Sequence, residues 1–259
     1  MRKKQTIISL VIAVILVIAV GYFIRQDLGN AKNIDIKAET QTEEEVAVAG
    51  ADNVDEGKLP NADAPVPDLD REFSIPDIYG REIIENSAAQ YNALTEALKK
   101  DPTLRNEWLQ LALLRNAVQD YEGAEEIWIY VTLRWPLDHV AYGNLGNLYL
   151  DFIQNYEKAE KNLVLALERN PSALQYTENL YNLYVHRLGQ PEKALRVLLE
   201  LIKTLPDEVF FPLKTAEHYR DTGKVESAKE FFTLSKTVAL KKGQQNVIDY
   251  ADAELAKLK

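Results

Sequence analysis

Apolar and polar positions divide the chain into three regions with different periods. Residues 7–24, IISLVIAVILVIAVGYFI, are eighteen consecutive residues without a charge, interrupted only by Ser9 and Gly21. At 1.5 Å rise per residue such a helix spans roughly 27 Å, close to the thickness of a bilayer core. Residues 25–79 show no period. They scatter single apolar residues among acids, prolines and alanines, as in EEEVAVAGADNVDEGKLPNADAPVPDLD. From about Arg81 onward the apolar spacing is helical. Within that region Pro102, Pro136, Pro171 and Pro206 recur at gaps of 34, 35 and 35 residues. A fixed period of this size predicts a solenoid of stacked units.

Each unit reads as two helices separated by a turn. NLGNLYLDFIQNYEKA from Asn144 returns 35 residues later as NLYNLYVHRLGQPEKA from Asn179. In the second helix of each unit an alanine precedes a large apolar residue by four positions: Ala124 and Trp128, Ala159 and Leu163, Ala194 and Leu198, Ala228 and Phe232. A small side chain lets crossing helices approach, and a large one fills the groove beside it. Proline ends each second helix because it lacks the amide hydrogen that continuation needs. The turns VQDYEGA, IQNYEKA, LGQPEKA and TGKVESA place Gly189 and Gly223 at helix C-caps and Asp120 and Asn155 at N-caps.

This pattern resembles the tetratricopeptide repeat, W-x2-L-G-x2-Y, then A-x3-F, then P. Tyr142, Leu145, Gly146, Tyr149, Ala159, Leu163 and Pro171 follow it, as do Trp108, Leu111, Ala112, Ala124, Trp128 and Pro136, with Arg115 in place of the tyrosine. The third unit keeps Leu180, Tyr184, Ala194, Leu198 and Pro206, with Tyr181 where a small residue is usual. The fourth keeps Ala216, Tyr219, Gly223, Ala228 and Phe232 without a closing proline. The middle units are one residue longer than the family norm, and the extra residue is placed in the turn between the paired helices. The resemblance implies an all-α, right-handed helical-hairpin solenoid with units at 103–136, 137–171, 172–206 and 207–240. A leading half-repeat helix occupies 80–102, and a helix at 244–259 covers the last apolar edge. It also implies a concave face, lined by the first helices, that binds peptides or proteins.

Charge changes the picture at the amino-terminal end. The formal charge is −10, and residues 27–79 alone hold fourteen acids and four bases. This stretch cannot bury enough apolar surface to offset its chain entropy, so residues 25–79 are expected to form a disordered acidic tether. Near its end Phe73, Ile75, Ile78 and Tyr79 cluster, ready to dock on the helix that follows. Arg2, Lys3 and Lys4, in the basic segment 1–6, precede the apolar run, and Arg25 follows it. That asymmetry predicts a transmembrane signal anchor at 7–24 with its amino terminus in the cytoplasm and the repeats outside. Cleavage near Ala19-Val20-Gly21, and a repeat domain facing the cytoplasm, stand as alternatives.

Candidate chemistry is sparse. The chain has no cysteine and three histidines, none at a ligand spacing from another. No phosphate loop, nucleophile elbow or zinc motif is present, so no catalytic, cofactor or metal residue is assigned. The histidines read as surface or helix-end residues, with His186 near a groove, and Glu125 and Glu126 as a solvated helix face. Acidity argues against nucleic acid and against an RNA-binding solenoid of the pentatricopeptide kind. Function is then expected from surface: a protein or peptide partner, or a second copy. Asn144 with Asn147, and Asn179 with Asn182, share a helix face at a spacing of three and recur one unit apart. Asparagine is not chosen for helix propensity, and its amide suits a peptide backbone. Gln110, Lys214, Glu217 and Arg220 are the flanking candidates in an expected groove.

Overall fold

The computed structural model describes residues 64–75 and 80–258, all within one unit, Glu56–Lys259. The expected membrane span at 7–24, most of the acidic stretch, and Ile78 and Tyr79 lie outside the described residues. Among the described residues every regular element is helical, and no helix is long and apolar enough to cross a membrane.

Helix α1 (Arg81–Lys100) precedes four pairs. The first helices are α2 (Arg105–Ala117), α4 (His139–Asn147), α6 (Leu174–Asn182) and α8 (Phe210–Asp221). The second helices are α3 (Tyr121–Arg134), α5 (Tyr156–Arg169), α7 (Pro191–Thr204) and α9 (Val225–Lys242), and α10 (Gln245–Lys257) closes the stack on α9. Each helix packs mainly on its neighbours in sequence, as a solenoid requires.

The residues of the repeat pattern are mostly buried. Trp108, Leu111, Ala112, Ala124, Trp128, Leu145, Tyr149, Ala159, Leu163, Leu180, Tyr184, Ala194, Leu198, Ala216, Ala228 and Phe232 are buried, and Tyr142 and Tyr219 are half-buried. Burying each large apolar side chain contributes about 1.5–3 kcal/mol. At Gly146 the helices approach so closely that an added Cβ would lie 2.6 Å from Leu163 Cγ.

The turns follow one design. Asp120 and Asn155 accept hydrogen bonds from the Gly123 and Lys158 amides, as N-caps do. The residue before each second helix's N-cap is left-handed: Gln119, Gln154, Gly189 and Gly223 have φ of 69, 58, 62 and 75°. Glycine serves there in the third and fourth units, whereas the first two hold a glutamine in the strained region.

The extra residue of the middle units is not in the turn. It is absorbed by the last turn of each first helix, where Leu148–Phe152 and Leu183–Arg187 form π-turns. The Ile153 and Leu188 amides reach back five residues to the Leu148 and Leu183 carbonyls at 3.0 and 2.9 Å. A single inserted residue within a helix is accommodated in this way because only one hydrogen-bond ring must widen.

A second departure concerns the tether. Residues 69–73, expected to lie in the disordered stretch, are fixed on α1, α2 and α3. Phe73 does dock, stacking on Tyr91 with ring centroids 4.3 Å apart.

Candidate functional site

The first helices bring part of the asparagine set together. Asn147 on α4 and Asn179 on α6 are half-buried, and Asn179 Nδ2 donates to Asn147 Oδ1 at 2.6 Å. Asn144 is half-buried one turn before Asn147, and Asn182 is exposed one turn after Asn179. Close contact between α4 and α6 depends on Gly143, where an added Cβ would meet the Tyr176 ring at 2.1 Å. Gln110 is half-buried on α2 and is not joined to this pair by a hydrogen bond.

The fourth-unit candidates are held elsewhere. Arg220 Nη1 donates to Glu254 Oε2 at 2.8 Å and its Nε to Asp221 at 2.8 Å. Glu217 accepts from the Tyr250 hydroxyl at 2.9 Å. Both side chains therefore fasten α10 to α8. Hydrogen bonds from Arg220 to Asp221 and then Glu254 hold its guanidinium well above the ordinary range. Lys214 remains on the first-helix face, 3.8 Å from Glu217 and 5.0 Å from the Tyr181 ring centroid.

Tyr181, the large residue in a small residue's place, reaches across units to His218, with its hydroxyl 3.1 Å from Nδ1. His218 is buried rather than a surface residue, at 4% exposure. Burial, then the Lys224 charge, pushes its imidazole below the ordinary 6.5, favouring the neutral form. His186 is exposed at a first-helix end, as expected.

Glu125 is a further correction. Glu126 is exposed, but Glu125 is half-buried and accepts from the Tyr149 hydroxyl and, at 3.1 Å, from Lys158. One unit on, Glu160 accepts from the Tyr184 hydroxyl at 2.9 Å and from Lys193 at 3.2 Å. Each lysine also lies over its tyrosine ring, at 4.7 and 5.3 Å. Burial, reinforced by the glutamate bond, raises both tyrosines well above their ordinary 10, so they stay protonated donors. These glutamate–tyrosine–lysine keys join successive units, and both tyrosines sit in the π-turns. The signal that could have located them was the 35-residue period itself.

In the first unit the key is rearranged. Arg115 occupies the tyrosine position, and Tyr91 on α1 occupies the glutamate position one period earlier. Arg115 is buried to 1% exposure, donating to the Tyr91 hydroxyl at 2.8 Å and to Asp120 Oδ2 at 2.6 Å. Gly123 stands where Lys158 and Lys193 stand, and a Cβ there would lie 2.9 Å from Arg115 Cδ. Burial pushes Asp120 up, but the Gly123 amide, Arg115 and Arg71 together hold it below the usual carboxylate range.

A model of the tetratricopeptide repeat matches residues 139–172. Residues 139–172 are thus similar to a tetratricopeptide repeat. That match falls on the second unit, the one with the fullest set of consensus residues. Among curated proteins none matches the chain. Among solved structures, MamA is 18% identical over 66% of this chain and 99% of its own, at a TM-score of 0.48. YrrB, described as a TPR protein with an unusual peptide-binding site, is 16% identical over 64% and 92%, at 0.44. PilF of Pseudomonas aeruginosa is 16% identical over 68% and 86%, at 0.46. None of these likenesses bears on what this chain binds. Among the described residues no group of three or more His, Asp or Glu is gathered as a metal site.

Proposed function

We propose that this tetratricopeptide-type chain is a non-catalytic scaffold that holds an extended segment of a protein partner on its first-helix face. In this reading residues 7–24 anchor it in a membrane and the repeats lie outside the cytoplasm. One observation carries the binding role: the Asn147–Asn179 amide pair at the junction of α4 and α6. An amide group offers two donor hydrogens and two acceptor lone pairs. The mutual bond uses one hydrogen of Asn179 and one lone pair of Asn147, so both groups are oriented while keeping capacity for a passing backbone. Asn144 and Asn182 extend the row by one turn at each end, and Lys214 lies on the same face one unit further. Glu217 and Arg220 serve the closing helix in the first place. The topology rests on the basic residues before the apolar run.

The test combines two substitutions with capture from membranes. Replacing Asn147 and Asn182 by alanine removes hydrogen bonds worth about 1 kcal/mol each, roughly fivefold in affinity per bond. Crosslinking in intact cells should then recover the partner in clearly lower yield, with helical circular dichroism unchanged. Recovery at the wild-type level would refute the groove. Protease added to spheroplasts should remove a tag fused after Lys259 while a cytosolic marker survives, and a protected tag would refute the topology.

A further inference from the structure

The segment before α1 is held as a ligand is held. Residues 69–73 form no helix or strand; a turn at Leu69 and Asp70 and a bend at Arg71 lay them against α1. Asp70 accepts from Lys99 near the carboxyl end of α1 at 2.7 Å, and Phe73 stacks on Tyr91 nearer its start. Its backbone is read by side chains. The Tyr91 hydroxyl lies 2.7 Å from the Arg71 carbonyl and 3.3 Å from that of Leu69. Arg115 donates to the Arg71 and Glu72 carbonyls at 3.2 and 3.4 Å. Sequence is read by two side chains two residues apart. Arg71 makes a forked bond to Asp120 at 3.1 and 2.9 Å and reaches Glu122 at 2.9 Å. Phe73 supplies the stacked ring.

The position of this site explains its existence. Helix α1 is a second helix without its own first helix, and residues 69–73 lie against it through Tyr91 and Lys99. An open groove of about 530 Å3 is lined by the segment together with Ala88, Asn92, Thr95 and Glu96 of α1. An incoming chain has room there beside the resident one.

We infer that α1, the end of α2 and the start of α3 form a second peptide-binding site, distinct from the first-helix face. Its ligand is a non-helical segment carrying arginine followed two residues later by an aromatic residue. Residues 69–73 occupy the site in cis, and a partner protein's segment with the same pair displaces them. Because only a few residues join the resident segment to α1, its effective concentration is on the order of millimolar. A competitor therefore binds the wild-type chain weakly and a strap-weakened chain well.

The experiment uses the full-length chain in detergent and a fluorescent peptide of residues 64–75, APVPDLDREFSI, as the probe. Anisotropy should show the peptide binding the Arg71→Ala/Phe73→Ala chain about a hundredfold more tightly than the wild type. Adding Asp120→Asn, which keeps an N-cap but removes the charge, should abolish that gain, as should the same two alanines placed in the peptide. Absence of binding to the doubly substituted chain with unchanged helical circular dichroism would overturn the inference. Should that chain unfold, hydrogen exchange on the wild type decides. Amides at 69–73 exchanging far faster than those of α2 support a displaceable segment, and equal protection refutes it.

Discussion

Arg115 offers the sharpest test of how the first unit is built. Its guanidinium is 1% exposed, ion-paired to Asp120, bonded to the Tyr91 hydroxyl and to two carbonyls of the preceding segment, and it lies 5.2 Å from the Tyr91 ring centroid. Arg115→Met keeps most of the apolar stem and removes every polar contact. Asp120 retains Arg71 and the Gly123 amide, so the loss is less than that of an orphaned carboxylate. The Glu72 carbonyl loses its donor, and Tyr91 loses a cation. Breaking a buried pair costs about 3–5 kcal/mol, and this partly compensated case belongs at the lower end, about 3 kcal/mol. In a stacked-repeat protein such a loss is local before it is global. All three tryptophans, Trp108, Trp128 and Trp135, lie in the first unit, so fluorescence reports that unit while far-ultraviolet circular dichroism reports the whole stack. Urea unfolding of the variant should show the fluorescence transition moved to lower denaturant and separated from the dichroism transition. Coincident transitions shifted by less than about 1 kcal/mol would refute the assignment of Arg115 as the key of this junction.

Other outcomes follow from the same geometry. Gln154→Gly should raise stability by about 0.5–1 kcal/mol in thermal unfolding, because it relieves a left-handed glutamine at φ 58°. Gly146→Ala should cost about 1–3 kcal/mol, since its Cβ would press on Leu163 Cγ and lie 3.2 Å from that residue's backbone nitrogen. His218, depressed by burial and Lys224 against the opposing charges of Asp221 and Glu192, binds a proton more readily unfolded than folded. Its contribution is thus complete above about pH 6.5 and is lost as pH falls below that value, with a slope of at most about 1.4 kcal/mol per pH unit. His218→Gln should flatten this part of the stability–pH curve. Tyr184→Phe should weaken the junction of the second and third units by about 1–2 kcal/mol, read by denaturant titration, with little change when Glu160→Ala is already present.

Much of this architecture is legible in the sequence, for identifiable reasons. Prolines, alanine–apolar pairs and N-caps act locally, so Pro136, Ala159 and Asp120 announce their roles by spacing alone. The π-turns were hidden because one inserted residue can be absorbed at several places, and only the backbone shows which. Arg115 was visible as a departure from the repeat pattern, but its meaning depends on Tyr91, a residue of the half repeat with no consensus to compare. The same limit applies to the binding face. Asn147 and Asn179 are on neighbouring helices as the period requires, and their mutual bond is a matter of side-chain reach. Glu217 and Arg220 turned to α10 because that helix presents Tyr250 and Glu254 toward α8, which a short terminal pattern does not reveal.

The unequal junctions bear on how a chain with near-duplicate units avoids docking them in the wrong order. Tyr149 meets Glu125 and Tyr184 meets Glu160, so these two junctions are interchangeable in kind. The flanking ones are not. Arg115 demands the tyrosine of α1, and the position that supplies glutamate twice holds Leu195 before Tyr219. A chain that skipped the first pair would set Tyr149, in the π-turn after α4, against Tyr91 of α1 and forfeit its bond to Glu125. The polar residues thereby disfavour that out-of-register stack, which apolar packing alone would accept.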